Sequence, residues 1–154
     1  MYGYKLIMTF SVFLFLIGCA NDLTGEPSRN QENSIELTKI SSNNSIDQSA
    51  SNQAKEILSN HEEITAINAV NTLETLVIAI DIEHSKRFRL ADIRKELTKE
   101  MKEQFKDIKV EFSTDKKILL ELEKLEEKIQ SGSIKKKKLE KEIKRITKLV
   151  KEKT

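Results

Sequence analysis

The sequence predicts a small α+β module: two layers in the order αββαβα, a three-stranded sheet covered by helices, with a basic C-terminal helix after it and a signal peptide and disordered tether before it. Three observations lead there. Two β-rich runs adjoin between Ile64 and Ile82, apolar residues then recur every three or four positions in three later stretches, and a greasy leader ends at the chain's one cysteine. With 154 residues and 38% apolar composition, the chain has room for one ordinary domain plus appendages.

The leader comes first. Lys5 supplies a positive start, Leu6 to Ile17 is a mainly apolar stretch of 12 residues, and Gly18 is a small residue at the expected cut. Twelve residues fall short of the about 20 that span a bilayer. Leu16-Ile17-Gly18-Cys19 resembles a bacterial lipobox, which implies that the thiol of Cys19 is alkylated by a diacylglyceryl group and that cleavage between Gly18 and Cys19 leaves Cys19 as the first residue. Cleavage alone would release the protein. Acyl chains, at about 0.8 kcal/mol per buried methylene and with two signals needed for durable anchoring, would hold it. The alternative reading is an uncleaved leader in which Cys19 is an incidental small residue.

The region 19–53 is rich in Asn, Ser, Gln, Asp and Glu, and its Ile35, Leu37, Ile40 and Ile46 form no stripe, so it reads as a disordered linker. As a flexible coil of some 34 residues it would span about 30–35 Å, enough to hold a domain clear of headgroups. A short helix is expected over Asn52 to Glu62, using Ala54, Ile57 and Leu58. The run "ITAINAVNTLETLVIAIDI" splits at Asn71 to Glu74 into a hairpin. In its second strand Leu76, Ile78, Ile80 and Ile82 share one face, read as core; Thr75, Val77, Ala79 and Asp81 share the other, read as half polar.

Leu90, Ile93, Leu97, Met101 and Phe105 form one helical stripe. "KVEFST" is then a short strand with Val110 and Phe112 inward, and a right-handed crossover sets it parallel to its predecessor. A further helix, capped by Thr114 or Asp115, carries Ile118, Leu122, Leu125 and Ile129. These elements make up the domain expected over 54–130. "SGS" at Ser131 to Ser133 interrupts the pattern, and the segment 131–154 resumes it with Leu139, Ile143, Ile146 and Val150.

Charge is nearly balanced overall, with 27 basic and 25 acidic residues. Residues 134–154, however, hold 10 basic and 3 acidic side chains, a net of +7. Two readings of this helix stand side by side. It folds back as a helical hairpin with Glu121, Glu123, Glu126 and Glu127 facing its lysines, or it meets anionic lipid or wall polymer through Lys135, Lys136, Lys137, Lys138, Lys141, Lys144, Arg145 and Lys148, each worth about 1 kcal/mol near a charged membrane.

Several chemistries find no support. One cysteine and two histidines, His61 and His84, provide no metal cluster. After Cys19 the aromatics are Phe88, Phe105 and Phe112, too few to stack sugars or bases, so nucleic acid is not an expected partner. His84 and Ser85 lie near Asp81, but neighbours at a strand end do not converge as a catalytic triad must. No enzymatic activity, cofactor or small-molecule substrate is expected.

The lipobox, the Asn/Ser-rich spacer, the hairpin, the helix start "RFRLADIRKEL" and "KVEFSTDKKILLELEKL" together resemble the YhcN/YlaJ-type sporulation lipoproteins of endospore-forming bacilli. The likeness covers roughly Ala54 to Ile129 plus the anchor. It implies a lipid-anchored, non-enzymatic protein on the extracytoplasmic face of the cell membrane or in the spore inner membrane or envelope. Such a protein would act in sporulation or germination by self-association or by assembly with envelope partners, and the resemblance implies no catalytic residues. The alternative function is an adaptor that binds membrane or wall polyanions through its last helix.

Overall fold

Residues 39–40 and 46–153 are described in the computed structural model. The expected signal peptide, Gly18, Cys19 and most of the linker lie outside them. The elements run in the order α1 (Ser49–Leu58), β1 (Ile64–Asn71), β2 (Thr75–Ile82), a 3₁₀ helix (His84–Arg89), α2 (Leu90–Gln104), β3 (Lys109–Ser113), α3 (Lys116–Gln130) and α4 (Lys136–Glu152). The strands form one sheet in the order β1-β2-β3. β1 and β2 are antiparallel, with Ala69 opposite Ile78; β2 and β3 are parallel, with Leu76 opposite Val110 and Ile78 opposite Phe112. The α+β class, the mixed three-stranded sheet and the C-terminal helix are as the sequence predicts.

The layering is richer than expected. Leu76, Ile78, Ile80 and Ile82 of β2 pack with Ala54 and Leu58 of α1 and with Ile93, Leu97 and Met101 of α2. The opposite face keeps its polar members, Thr75 and Asp81, half-buried, but between them Val77 and Ala79 are fully buried beneath α3 and α4. Helices therefore cover both faces, and the sheet is the middle of three layers. A central strand covered on both sides reads as an unbroken apolar run, and β2 does so from Leu76 to Ile80.

The folded region also begins earlier than Ala54. Helix α1 starts at Ser49, and Ile40 and Ile46, assigned to the linker by sequence, are buried with α3 and α4. Asn52 fixes Ile40 by a reciprocal pair: the Ile40 N–H donates to Asn52 Oδ1 and Asn52 Nδ2 donates to the Ile40 carbonyl, each at 3.0 Å.

Local chemistry sets the element ends. Thr72 closes the hairpin, its N–H donating to the Thr75 carbonyl at 2.8 Å and its hydroxyl accepting from the Thr75 N–H at 3.1 Å. No residue there has a positive φ, so the turn needs no glycine. Asp115 caps α3 by accepting from the N–H groups of Lys117 and Ile118 at 2.8 and 3.2 Å.

At the other end of α3, Gly132 takes φ 68°. Its N–H donates to the Ile129 carbonyl, and that of Ser133 donates to the Lys128 carbonyl, both at 3.0 Å. This is the Schellman pattern that ends a helix in the left-handed region. It turns the chain so that Ile134 and α4 pack back against α3, and Leu139, Ile143, Ile146 and Val150 are all buried. A Gly132→Ala variant, with a Cβ in that conformation, is expected to lose about 1–2 kcal/mol, a drop of several degrees in thermal midpoint by circular dichroism.

Candidate functional site

Helix α4 belongs to the domain's core and still presents its charge outward. Leu139, Ile143, Ile146 and Val150 occupy one side. Lys137, Lys141, Lys144 and Lys148 step by four, three and four along the other, and all are exposed. Lys148 has a weak partner within the helix, Glu152 at 3.9 Å. Among the described residues, no ion pair engages Lys135, Lys136, Lys137, Lys138, Lys141 or Lys144. Lys136 also borders a small depression with Leu73 of the hairpin turn and Asp47.

Arg145, grouped by sequence with those lysines, has a different job. Its guanidinium is held by Glu121 of α3 and, at 3.0 Å, by Glu142. Arg145 holds the Glu121 carboxyl below its usual range. Lys153 does the same to Asp115 from 2.8 Å. These pairs tie α4 to α3 at two points and engage Arg145 with acids of its own domain, although its side chain remains 47% exposed.

The expectation that Glu123, Glu126 and Glu127 join Glu121 in facing the lysines is not met. Glu123 and Glu127 are solvent-exposed. Glu126 is buried, with 3% of its surface exposed, and turns toward α1 and β1 instead. There Lys55 Nζ donates to Glu126 Oε2 at 3.1 Å, and the Ala69 N–H donates to Oε1 at 2.7 Å. Lys55 is itself only 1% exposed. Burial pushes the Glu126 carboxyl above its usual range, against the pull of Lys55 and the Ala69 N–H.

This buried pair closes a sheet edge. β1 is an edge strand, and its outward N–H groups at Ala69 and Asn71 would otherwise lie unsatisfied under α1 and α3. Glu126 accepts from the first; Gln48 Oε1 accepts from the second at 3.1 Å, while Gln48 Nε2 donates to the Asn71 carbonyl at 2.7 Å. Sequence reading missed the pair because the two residues lie 71 positions apart. The available signal was a lysine within the buried stripe of a short helix, where a charge is rare unless paired.

Around Asp81 the geometry is that of ion pairing. Arg87 Nη2 and Lys116 Nζ lie 3.2 and 3.9 Å from its carboxylate, while His84 and Ser85 are exposed on the 3₁₀ helix. His61 lies 3.1 Å from Glu100. Among the described residues no group of three or more His, Cys, Asp or Glu side chains is placed to hold a metal ion, and no helix is long and apolar enough to cross a membrane. Comparison with family models, with curated proteins and with solved structures found no match.

Proposed function

We propose that this protein is a lipid-anchored, non-enzymatic module of the extracytoplasmic membrane face that assembles with itself or with envelope partners, in the manner implied by its resemblance to the YhcN/YlaJ-type sporulation lipoproteins. The observation that carries the reading is the leader ending in Leu16-Ile17-Gly18-Cys19 ahead of a polar linker. Two acyl chains at Cys19 would retain the domain at the membrane after cleavage. Radiolabelled palmitate is expected to mark the full-length protein and not a Cys19→Ser variant, which should also move from the membrane to the soluble fraction. Equal labelling and partitioning of the two would refute the anchor.

A second contact is favoured by the outward stripe of Lys137, Lys141, Lys144 and Lys148. At about 1 kcal/mol per basic group near an anionic surface, four such residues supply useful attraction once the anchor has brought the domain close. The Cys19→Ser protein is expected to sediment with phosphatidylglycerol vesicles at low salt and to release at high salt. Changing all four lysines to Glu should weaken that binding more than tenfold, an effect of about 1.4 kcal/mol or more, without shifting the thermal midpoint by more than a few degrees. Binding that ignores both salt and charge reversal would refute the lysine face as a contact.

A further inference from the structure

The two edges of the sheet are finished differently. Glu126 and Gln48 bond the outward groups of β1, whereas among the described residues no side chain does so for β3, whose Val110 and Phe112 are only 7% and 6% exposed, at the floor of a groove. The Lys109 N–H donates to the Glu74 carbonyl at 2.9 Å. In a parallel ladder alternate residues serve the same neighbour, so Lys109, Glu111 and Ser113 bond toward β2, and the N–H and C=O groups of Val110 and Phe112 point away from the sheet. Among the described residues none pairs with those outward groups. An unpaired row of main-chain donors and acceptors is a template for another strand.

The surroundings of that row select its partner. The edge lies in a groove of about 250 Å³ walled by Arg94, Thr98 and Lys102 of α2 and by Val150 and Lys151 of α4. Arg94, Thr98 and Lys102 also border a shallower hollow that continues over α2 to Lys95, Lys99 and Lys106. Of these α2-side cations, Lys99 has a partner, Glu103 at 3.8 Å; among the described residues no ion pair engages Arg94, Lys95, Lys102 or Lys106. The acid of β3 itself is already neutralised, with Glu111 Oε1 lying 2.8 Å from Lys109 and 3.8 Å from Lys151.

We propose that the β3 edge takes an extended, acidic segment of a partner protein as a fourth strand. Its main chain would bond Val110 and Phe112, and its carboxylates would meet Arg94 and Lys102. A second copy of this chain fits less well. Joining two β3 edges about a two-fold axis sets both α2 helices on the same face of the joined sheet, cation beside cation, with the two Glu111 residues near the axis. The proposal rests on reading the domain as a binding module and is independent of the anchor at Cys19.

The test uses the full chain in non-ionic detergent and a fluorescein-labelled, capped peptide of about seven residues alternating Val with Glu, the period that presents one face of a strand. Measurable binding by anisotropy is expected. It should weaken about tenfold or more for the matching Val/Lys peptide, and for an equally acidic peptide whose central Val is Pro, because proline removes a ladder donor. Arg94→Glu with Lys102→Glu should weaken binding by a similar factor, and Lys137→Glu with Lys141→Glu on α4 should not. The amide hydrogens of Val110 and Phe112 should exchange more slowly when peptide is bound, and Cys19→Ser should bind peptide as the parent does. Equal binding of the proline peptide without protection of Val110 and Phe112 would show mere charge adhesion and overturn the proposal. So would a protein already dimeric with those two amides protected in the absence of peptide.

Discussion

Truncation after Ser133 is expected to leave no folded domain. The segment it removes buries Ile134, Leu139, Ile143, Ile146 and Val150 against α3 and the sheet. At about 1.5–3 kcal/mol for each fully buried aliphatic side chain, the loss is about 8–15 kcal/mol, comparable to the about 5–15 kcal/mol that holds a domain of this size together. It would also expose Val77, Ala79 and the apolar stripe of α3. The measurement is thermal unfolding by circular dichroism: the truncated chain should show no cooperative transition, and Leu139→Ala alone should cost about 2–5 kcal/mol. A truncated chain that melts as sharply as the parent would mean that α4 is an appendage. Deletion is therefore the wrong way to ask whether the lysine face meets a membrane, since charge reversal changes that face without opening the core.

Glu126→Ala is expected to be the most damaging single side-chain change outside the apolar core. It leaves the Lys55 ammonium buried without its carboxylate and the Ala69 N–H without its acceptor. Removing one partner from a buried pair costs about 3–5 kcal/mol. Glu126→Gln keeps an acceptor for Ala69 and should recover part of the loss. Combining it with Lys55→Met should be milder than the two single effects summed, with a coupling of about 1 kcal/mol or more in a double-mutant cycle by urea unfolding. Purely additive effects would show that the two charges do not sense each other.

Glu126 also shapes the response to pH. Its folded-state affinity for a proton is raised, so stability falls as pH rises from the ordinary glutamate range toward the raised value. Asp115 and Glu121 act in the opposite sense. Lys153 and Arg145 hold their carboxyls low, so their contribution is present above the ordinary carboxylate range and is lost as pH falls below it. Thermal midpoints followed across acid pH should therefore pass through a maximum. Glu126→Gln should flatten the side toward neutrality, and Asp115→Asn should soften the acid side.

What could be seen in the sequence follows from the range of the interaction involved. The stripes of α2, α3 and α4 were legible because burial on a helix recurs every three or four residues, and all four predicted positions of α4 are buried. The lysine stripe was legible for the same reason. The pairing of Arg145 was not legible because its partner Glu121 is on another helix, and no local pattern sets the register between two helices. Ile40 and Ile46 were assigned to the linker because isolated apolar residues in a polar stretch have no period; contacts distant in sequence order them, packing for both and the Asn52 hydrogen bonds for Ile40. Val77 and Ala79 needed knowledge of a second covering layer. The groove at β3 needed the strand order, since the cations of α2 look like any solvated helix face until an unpaired edge is found beside them.

The core beneath α3 is finished by α4, the last of the described elements. As the polypeptide leaves the ribosome, α1, the three strands, α2 and α3 all emerge before Leu139, Ile143, Ile146 and Val150 are present to seal that side of the sheet. The nascent chain therefore stays unsealed until α4 is made, and the domain matures late rather than piece by piece.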